Sequence, residues 1–275
     1  MDRLKHMNDA LSYLENHLDG EISIEKAARI AQCSQYHFQR MFSYIVGTPL
    51  SEYVRRRRLT KAAFDLQKGD KVIDVALKYG YESPTAFNRA FQAMHGTSPS
   101  EARKSDIILK AFPPVSLQIM VKGVAEIDYR IVEKPKFRAM GIRKEVGVSC
   151  EDFFVVKFSP DEENSILALV GDGSHALLGL FVGNDSDSGY YYLCFETDGV
   201  LPDGMFEVNV PKHTWAVFSG VHELEHIERL FQRIYAEWLP TADYALVDNM
   251  EMEVYTKIDA NHTKYEIWLP VIKHR

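Results

Sequence analysis

Apolar residues return every three or four positions from the start of the chain. Leu4, Met7, Leu11, Leu14 and Leu18 lie on one helical stripe. Ser23 then caps a helix through about Ala31, with Ile24, Ala27 and Ala28 facing inward. Gln32-Cys33 makes a turn, Ser34 caps a further helix ending at Gly47, and Phe38, Met41, Phe42 and Ile45 form its buried stripe. From Pro49 no breaker occurs until Gly69, which predicts a connecting helix of about 17 residues, roughly 25 Å long. Shifting the chain by 49 positions repeats the pattern. Ile24, Ala27, Ser34, Phe38, Arg40, Phe42, Gly47, Thr48, Ser51 and Glu52 fall on Ile73, Ala76, Ser83, Phe87, Arg89, Phe91, Gly96, Thr97, Ser100 and Glu101. Caps, core positions and stop signals coincide in one register, so the region is a duplicated helix-turn-helix.

The period changes after Ile107. Ala111-Phe112-Pro113-Pro114 breaks any helix, and alternating patterns follow. Strands are expected at 115–122, 127–133, 137–144, 177–183, 190–197, 206–210, 213–219, 250–256 and 264–272. Helical spacing returns at 223–238, through Ile227, Leu230, Phe231, Ile234 and Trp238, and a second helix is expected within 149–170. The chain is therefore expected to be multidomain, an all-α part followed by an α+β part.

Charge sharpens the division. Residues 1–106 carry 16 Lys and Arg against 13 Asp and Glu, and residues 107–275 carry 16 against 26, which together give the overall −7. A basic piece fused to an acidic one points to a polyanion partner for the first. Hydrophobic residues at 46% and charged residues at 26% exclude wholesale disorder. No apolar run is long enough to span a membrane, the N-terminus has no signal core, and the odd cysteines Cys33, Cys150 and Cys194 suit a reducing compartment, so a cytoplasmic location is expected.

The positions left outward on the second helix of each copy carry the chemistry that base edges need. They are Gln35, Tyr36, Gln39 and Arg40 in the first, and Thr85, Ala86, Asn88, Arg89 and Gln92 in the second. Arginine can fork onto guanine, and Gln or Asn can pair with adenine. Ser34 and Ser83 open helix N-termini whose backbone donors suit phosphate. Of the run Arg55-Arg56-Arg57-Arg58 only one or two can face phosphate, with Arg55 the candidate and the rest surface residues. Ser34-Gln35-Tyr36-His37-Phe38-Gln39-Arg40-Met41-Phe42 with Gly47-Thr48-Pro49 resembles the first recognition helix of the AraC/XylS family of bacterial transcription regulators. Gly80-Tyr81-Glu82-Ser83, Phe87-Asn88-Arg89-Ala90-Phe91 and Gly96-Thr97-Ser98-Pro99-Ser100 resemble that family's second half. The resemblance implies two motifs reading adjacent major-groove segments through Tyr36, Gln39 and Arg40, and through Thr85, Asn88 and Arg89. Pro84 and Ala86 stand where polar residues are common, which implies fewer base contacts by the second helix.

In the acidic half, alternation puts Glu251, Glu253 and Tyr255 on one face of a strand, with Met252 and Val254 on the other. Glu266 and Trp268 share a face of the last strand, so pairing of the two would gather carboxylates and rings on one surface suited to a cationic, apolar ligand. Alternation alone favours the plainer alternative, an amphipathic sheet with a wet outer face. Asp128 through Pro135, Phe137 through Gly141, Glu237-Trp238-Leu239-Pro240, Glu253-Val254-Tyr255 and Tyr265 through Val271 resemble a GyrI-like effector-binding domain. That resemblance implies two pseudo-symmetric strand-helix-strand-strand units around a cleft holding an acidic residue. Glu253 is the first candidate and Glu237 the second, with Trp238, Tyr255 and Trp268 as walls and Glu266 nearby.

The expected domains are a DNA reader over 1–106, a linker and leading strand over 107–124, and the effector domain over 125–275. The expected partners are double-stranded promoter DNA, a small-molecule effector and, as a further candidate, RNA polymerase, with no membrane and no cofactor. The signal between the parts is expected to pass through 104–126. Two catalytic readings compete. His222-Glu223-Leu224-Glu225-His226 has zinc-protease spacing, but it opens a helix and lacks a third ligand at short range, so no metal is expected. The alternative to a sensor is a hydrolase using Glu253 on a small reactive molecule.

Overall fold

A computed structural model describes residues 2–104, 106–117, 126–147, 156–170, 176–184, 188–221, 227–257 and 263–273. The chain separates into two compact units. One holds residues 2–32 and 48–119; the other joins the segment Cys33–Gly47 to residues 120–275.

In the first unit, α1 (Asp2–Asn16), α2 (Ile24–Ile30), α4 (Leu50–Gln67), α5 (Val72–Lys78) and α6 (Pro84–His95) are followed by a single 3-10 turn at Glu101–Arg103. Ser23 caps α2 by accepting from the Lys26 amide, and Ser83 caps α6 by accepting from Ala86. Gly96 ends α6 with φ +75°, a backbone that favours glycine. Leu59, Ala62, Ala63 and Leu66 of α4 pack with Val75, Ala76, Phe87 and Phe91 into one apolar core. The arginine run divides. Arg55 and Arg56 are exposed and both pair with Glu52, whereas Arg57 is buried on Glu15 at 2.7 Å and Arg58 donates to the Leu18 and Gly20 carbonyls. Arg57 is thus a structural brace and not a surface residue. Residues 112–117 lie along the helices without strand structure: the Phe112 amide donates to Thr60 Oγ1, Val115 to Tyr53 Oη and Leu117 to Asn8 Oδ1. The strand expected at 115–122 is therefore absent over 115–117, and 118–122 lie outside the described residues.

The second unit contains α3 (Gln35–Val46) and an antiparallel sheet of β1 (Tyr129–Lys134), β2 (Phe137–Gly147), β3 (Leu177–Gly183), β4 (Ser188–Glu196), β5 (Phe206–Val210), β6 (His213–Val221), β7 (Tyr244–Leu246), β8 (Met250–Lys257) and β9 (Thr263–Lys273). Helix α7 (Pro160–Val170) follows β2, and α8 (Ile227–Arg233) follows β6 and continues as a π-turn over Ile234–Trp238. The strand order is β1-β6-β9-β8-β3-β4-β2-β5, with β7 beside β9. Units β2-α7-β3-β4 and β6-α8-β8-β9 are thus related by a pseudo-twofold between β3 and β8, and the leading strands exchange, β1 onto β6 and β5 onto β2. The other expected strands appear within a few residues of their bounds. The short β7 was not foreseen, because three residues carry no legible period.

Register decides what each face of the sheet holds. Leu180, Tyr192, Trp215, Val217 and Met252 pack on one side with Phe137 and Val210 from its far strands. On the other side Ile166 and Val170 of α7 cover Met140, Leu193 and Phe195, and Trp238 meets Phe218 with ring centroids 4.8 Å apart. Between these two covered ends lie the central strands β3 and β8.

Candidate functional site

Two carboxylates stand on that central stretch of the helix-covered face. Glu251 and Glu253 are both buried, at 1% and 2% exposure, and alternate along β8 with Met250, Met252 and Val254. Burial of a charge requires partners, and each has them. Tyr191 and Tyr255 donate to Glu253 Oε2 at 2.8 and 2.6 Å. Gly179, paired with Glu253 across β3 and β8, makes the room: a Cβ there would lie 2.1 Å from Tyr191 Oη and 2.8 Å from Glu253 Oε2. Burial pushes the Glu253 carboxyl up to about 7, against the two tyrosine hydrogen bonds and the Arg40 charge, which favour the anion. The phenols of Tyr191 and Tyr255 are raised well above their ordinary range, first by burial and then by the Glu253 charge.

Glu251 is held differently. Tyr235 donates to its Oε1, Arg40 Nε donates to the same oxygen at 3.3 Å, and Arg40 Nη2 pairs with Oε2. Arg40 has no exposed surface. Its guanidinium lies 4.9 Å from the Tyr44 ring and 5.6 Å from that of Phe181, and Nη2 also donates to Tyr44 Oη at 3.0 Å. Burial alone would make Arg40 easier to deprotonate; the Glu251 charge overrides it and holds the guanidinium charged. The rings around it stack, Tyr36 on Phe181 at 5.2 Å, and Tyr44 on Tyr235 at 5.0 Å and on Phe231 at 5.2 Å. At the N-terminus of α3, Ser34 caps the helix through the His37 amide and donates to Asn249 Oδ1 at 3.0 Å. Burial lowers His37 to about 4, so it is neutral.

Several expected positions are corrected by this arrangement. Tyr36 and Arg40 face the sheet and are buried, where helical spacing placed them outward; Gln35 and Gln39 are half-buried and Ser34 is exposed. The two sides of α3 both carry large side chains, so periodicity alone could not say that a second surface would cover the polar side. Trp268 and Glu266 do not join Glu253. In the β8–β9 register Met252 opposes Trp268, Val254 opposes Glu266 and Glu253 opposes Ile267, so the last-strand pair lies on the opposite face. There Glu266 accepts from Arg130 at 2.8 Å and from the Trp268 indole at 3.1 Å. Glu237 is exposed and pairs with Arg233 on its own helix, so it is not the buried acid of a cleft. Trp238 is on the correct face but two strands from Glu253, packed on Tyr129 and Phe218. Tyr255 is where the alternation put it. The residues missed were Glu251 as the partner of Arg40, and Tyr191, Tyr235 and Phe181. The shared parity of Glu251 with Glu253 was a visible signal for the first; nothing in the sequence announced the others.

The second helix-turn-helix presents an open surface. Thr85, Ala86, Asn88, Arg89 and Gln92 are exposed on α6, while Phe87 and Phe91 are buried beneath them. Helix N-terminal residues of mixed donor and acceptor type are what a major groove accepts. The His222–His226 segment lies outside the described residues. Among the described residues no helix is long and apolar enough to cross a membrane.

Residues 27–105 match the family model of a helix-turn-helix domain, and residues 130–271, more than half of the chain, match that of an integron-associated effector binding protein. Over 101 residues the chain is 42% identical to the HTH-type transcriptional activator AarP of Providencia stuartii, covering 36% of this chain and 75% of AarP. It is 37% identical over 106 residues to the right origin-binding protein of Escherichia coli K12, covering 38% of this chain and 37% of that one. Among solved structures, SAV2435 bound to tetraphenylphosphonium covers 53% of this chain and 94% of its own at 13% identity and a TM-score of 0.46.

Proposed function

Because the chain belongs to the AraC-type transcription regulators that carry a GyrI-like effector-binding domain, we propose that it is a ligand-controlled regulator whose sensor takes a small organic cation. The observation that carries this reading is the pair of buried carboxylates, Glu251 and Glu253, set two residues apart among tyrosine and phenylalanine rings. Rings supply contact area and cation–π attraction, and the acids supply the counter-charge. Tyr191, Tyr255 and Gly179 position Glu253, and Tyr235 positions Glu251. We take residues 1–106 as the DNA reader, 107–124 as the linker and 125–275 as the sensor.

On the DNA side, Arg89, Asn88 and Thr85 of α6 are the base-reading residues of the second motif, and Arg55 and the Ser83 helix end meet phosphate. Ser34, Gln35, Tyr36, Gln39 and Arg40 of α3 form the reading set of the first, Tyr36 and Arg40 only in a state in which α3 leaves the sheet that now buries them. AarP is an activator by name, and activation through contact with RNA polymerase at a promoter is the mode proposed here. Replacing Arg89 by alanine should cost about 1–3 kcal/mol in specific binding if it forks onto guanine. Gel-shift titration on a site selected from genomic fragments measures this, and unchanged affinity removes Arg89 from the reading set. The hydrolase alternative is decided by incubating an electrophilic organic cation with the full chain. Product in a mass-spectrometric time course would favour catalysis; recovery of the unmodified cation favours sensing.

A further inference from the structure

We propose that α3 is an internal occupant of the sensor face, its Arg40 guanidinium filling the position of the organic cation, so that DNA and the sensor compete for one helix. The proposal rests on the reading of α3 as a DNA-reading helix and adds how that helix is withheld. Arg40 has what a bound cation would have at this face. It is completely buried, paired through Nε and Nη2 with Glu251, and placed over the Tyr44 and Phe181 rings. Its neighbours on the same helix are engaged too: Tyr36 stacks on Phe181, Tyr44 stacks on both Phe231 and Tyr235, and Ser34 bonds Asn249. A helix held by its base-reading side chains cannot offer them to a groove.

The chemistry of the contact suits release. A buried ion pair gives back much of its Coulomb attraction as the cost of removing both charges from water, so a docked state that depends on one is only modestly favoured. A cation that takes Glu251 and the surrounding rings replaces the interactions lost by Arg40, and the freed guanidinium regains its hydration. The ligand then binds only the undocked state, and its differential affinity shifts the equilibrium toward a helix free for DNA. The route of the signal is α3 itself and not only the 104–126 segment.

The test compares the full chain with its Glu251→Gln variant in gel-shift titrations on one selected DNA site, without any cation. Glutamine removes the counter-charge of Arg40 but leaves every base-reading residue intact. The expected result is DNA affinity at least about tenfold tighter in the variant, since the apparent constant is divided by the fraction of free helix. Equal or weaker affinity in a variant with native circular dichroism overturns the lock while leaving the DNA reading intact. No shifted band with either protein overturns both. If Glu251→Gln does not fold, Ser34→Cys with Asn249→Cys, in a Cys33→Ser background, gives a reversible version. Oxidation is expected to join the two adjacent positions and weaken DNA binding at least about tenfold, with recovery on reduction. Failure to form the bond, or a joined protein with unaltered affinity, overturns the proposal.

Discussion

Glu253→Gln is expected to weaken binding of a small organic cation such as benzamidinium at pH 8 by about 2 kcal/mol or more, roughly thirtyfold. The side chain keeps its shape and can still accept from Tyr191 and Tyr255, so the loss is that of charge. The same carboxyl sets a pH dependence. Burial holds its pKa at about 7, above the ordinary glutamate value, so the group is increasingly protonated as pH falls from 8 to 6. Cation affinity in the native chain should fall about tenfold over that interval, and the fall should flatten in Glu253→Gln. The effect on folding has the opposite sign. A folded pKa above the unfolded one contributes stability that is present at low pH and lost as pH rises through about 7. Isothermal calorimetry at pH 6 and 8 on both proteins reads the effect on binding, and urea titration at the same two pH values reads the effect on folding. A steep pH dependence that survives in Glu253→Gln would assign the proton elsewhere.

Phe91→Ala should destabilise the helical unit by about 3–5 kcal/mol. Phe91 has no exposed surface; it lies 5.6 Å from Phe87 and 4.2 Å from the His95 ring, inside the core that α4, α5 and α6 share. Truncation leaves a cavity under the helix that carries Arg89, so base-reading geometry should fail with stability. In a urea titration the transition of the helical unit should move to lower denaturant while that of the sheet unit stays in place. A loss below about 1 kcal/mol would mean that the three helices do not depend on this ring.

The helical half was legible because its signals are local and repeated. Ser34 and Ser83 cap, Gly47 and Gly96 stop with φ +73° and +75°, and the apolar stripe between them recurs at 49 residues. Most strands were legible for the same reason: alternation is local. What alternation cannot give is register. Sequence parity placed Glu251, Glu253 and Tyr255 together, and Glu266 with Trp268, but only the pairing of Val254 with Glu266 decides that the two sets point to opposite faces. The burial of Arg40 was hidden for a related reason. Its partner is 211 residues away, and a polar helical face reads the same whether water, DNA or a buried carboxylate meets it. Tyr191 and Tyr235 share that fate, since a tyrosine in a strand or helix becomes a donor only when something distant needs one.

An organic cation and Arg40 are expected to exclude one another from the Glu251 and Glu253 face. The direct measurement is a gel-shift titration of the native chain on its selected site at increasing benzamidinium, with calorimetry confirming that the cation is bound. DNA affinity rising with cation until the sensor saturates is the expected result. A cation that saturates the sensor and leaves DNA affinity unchanged or lowered would contradict it.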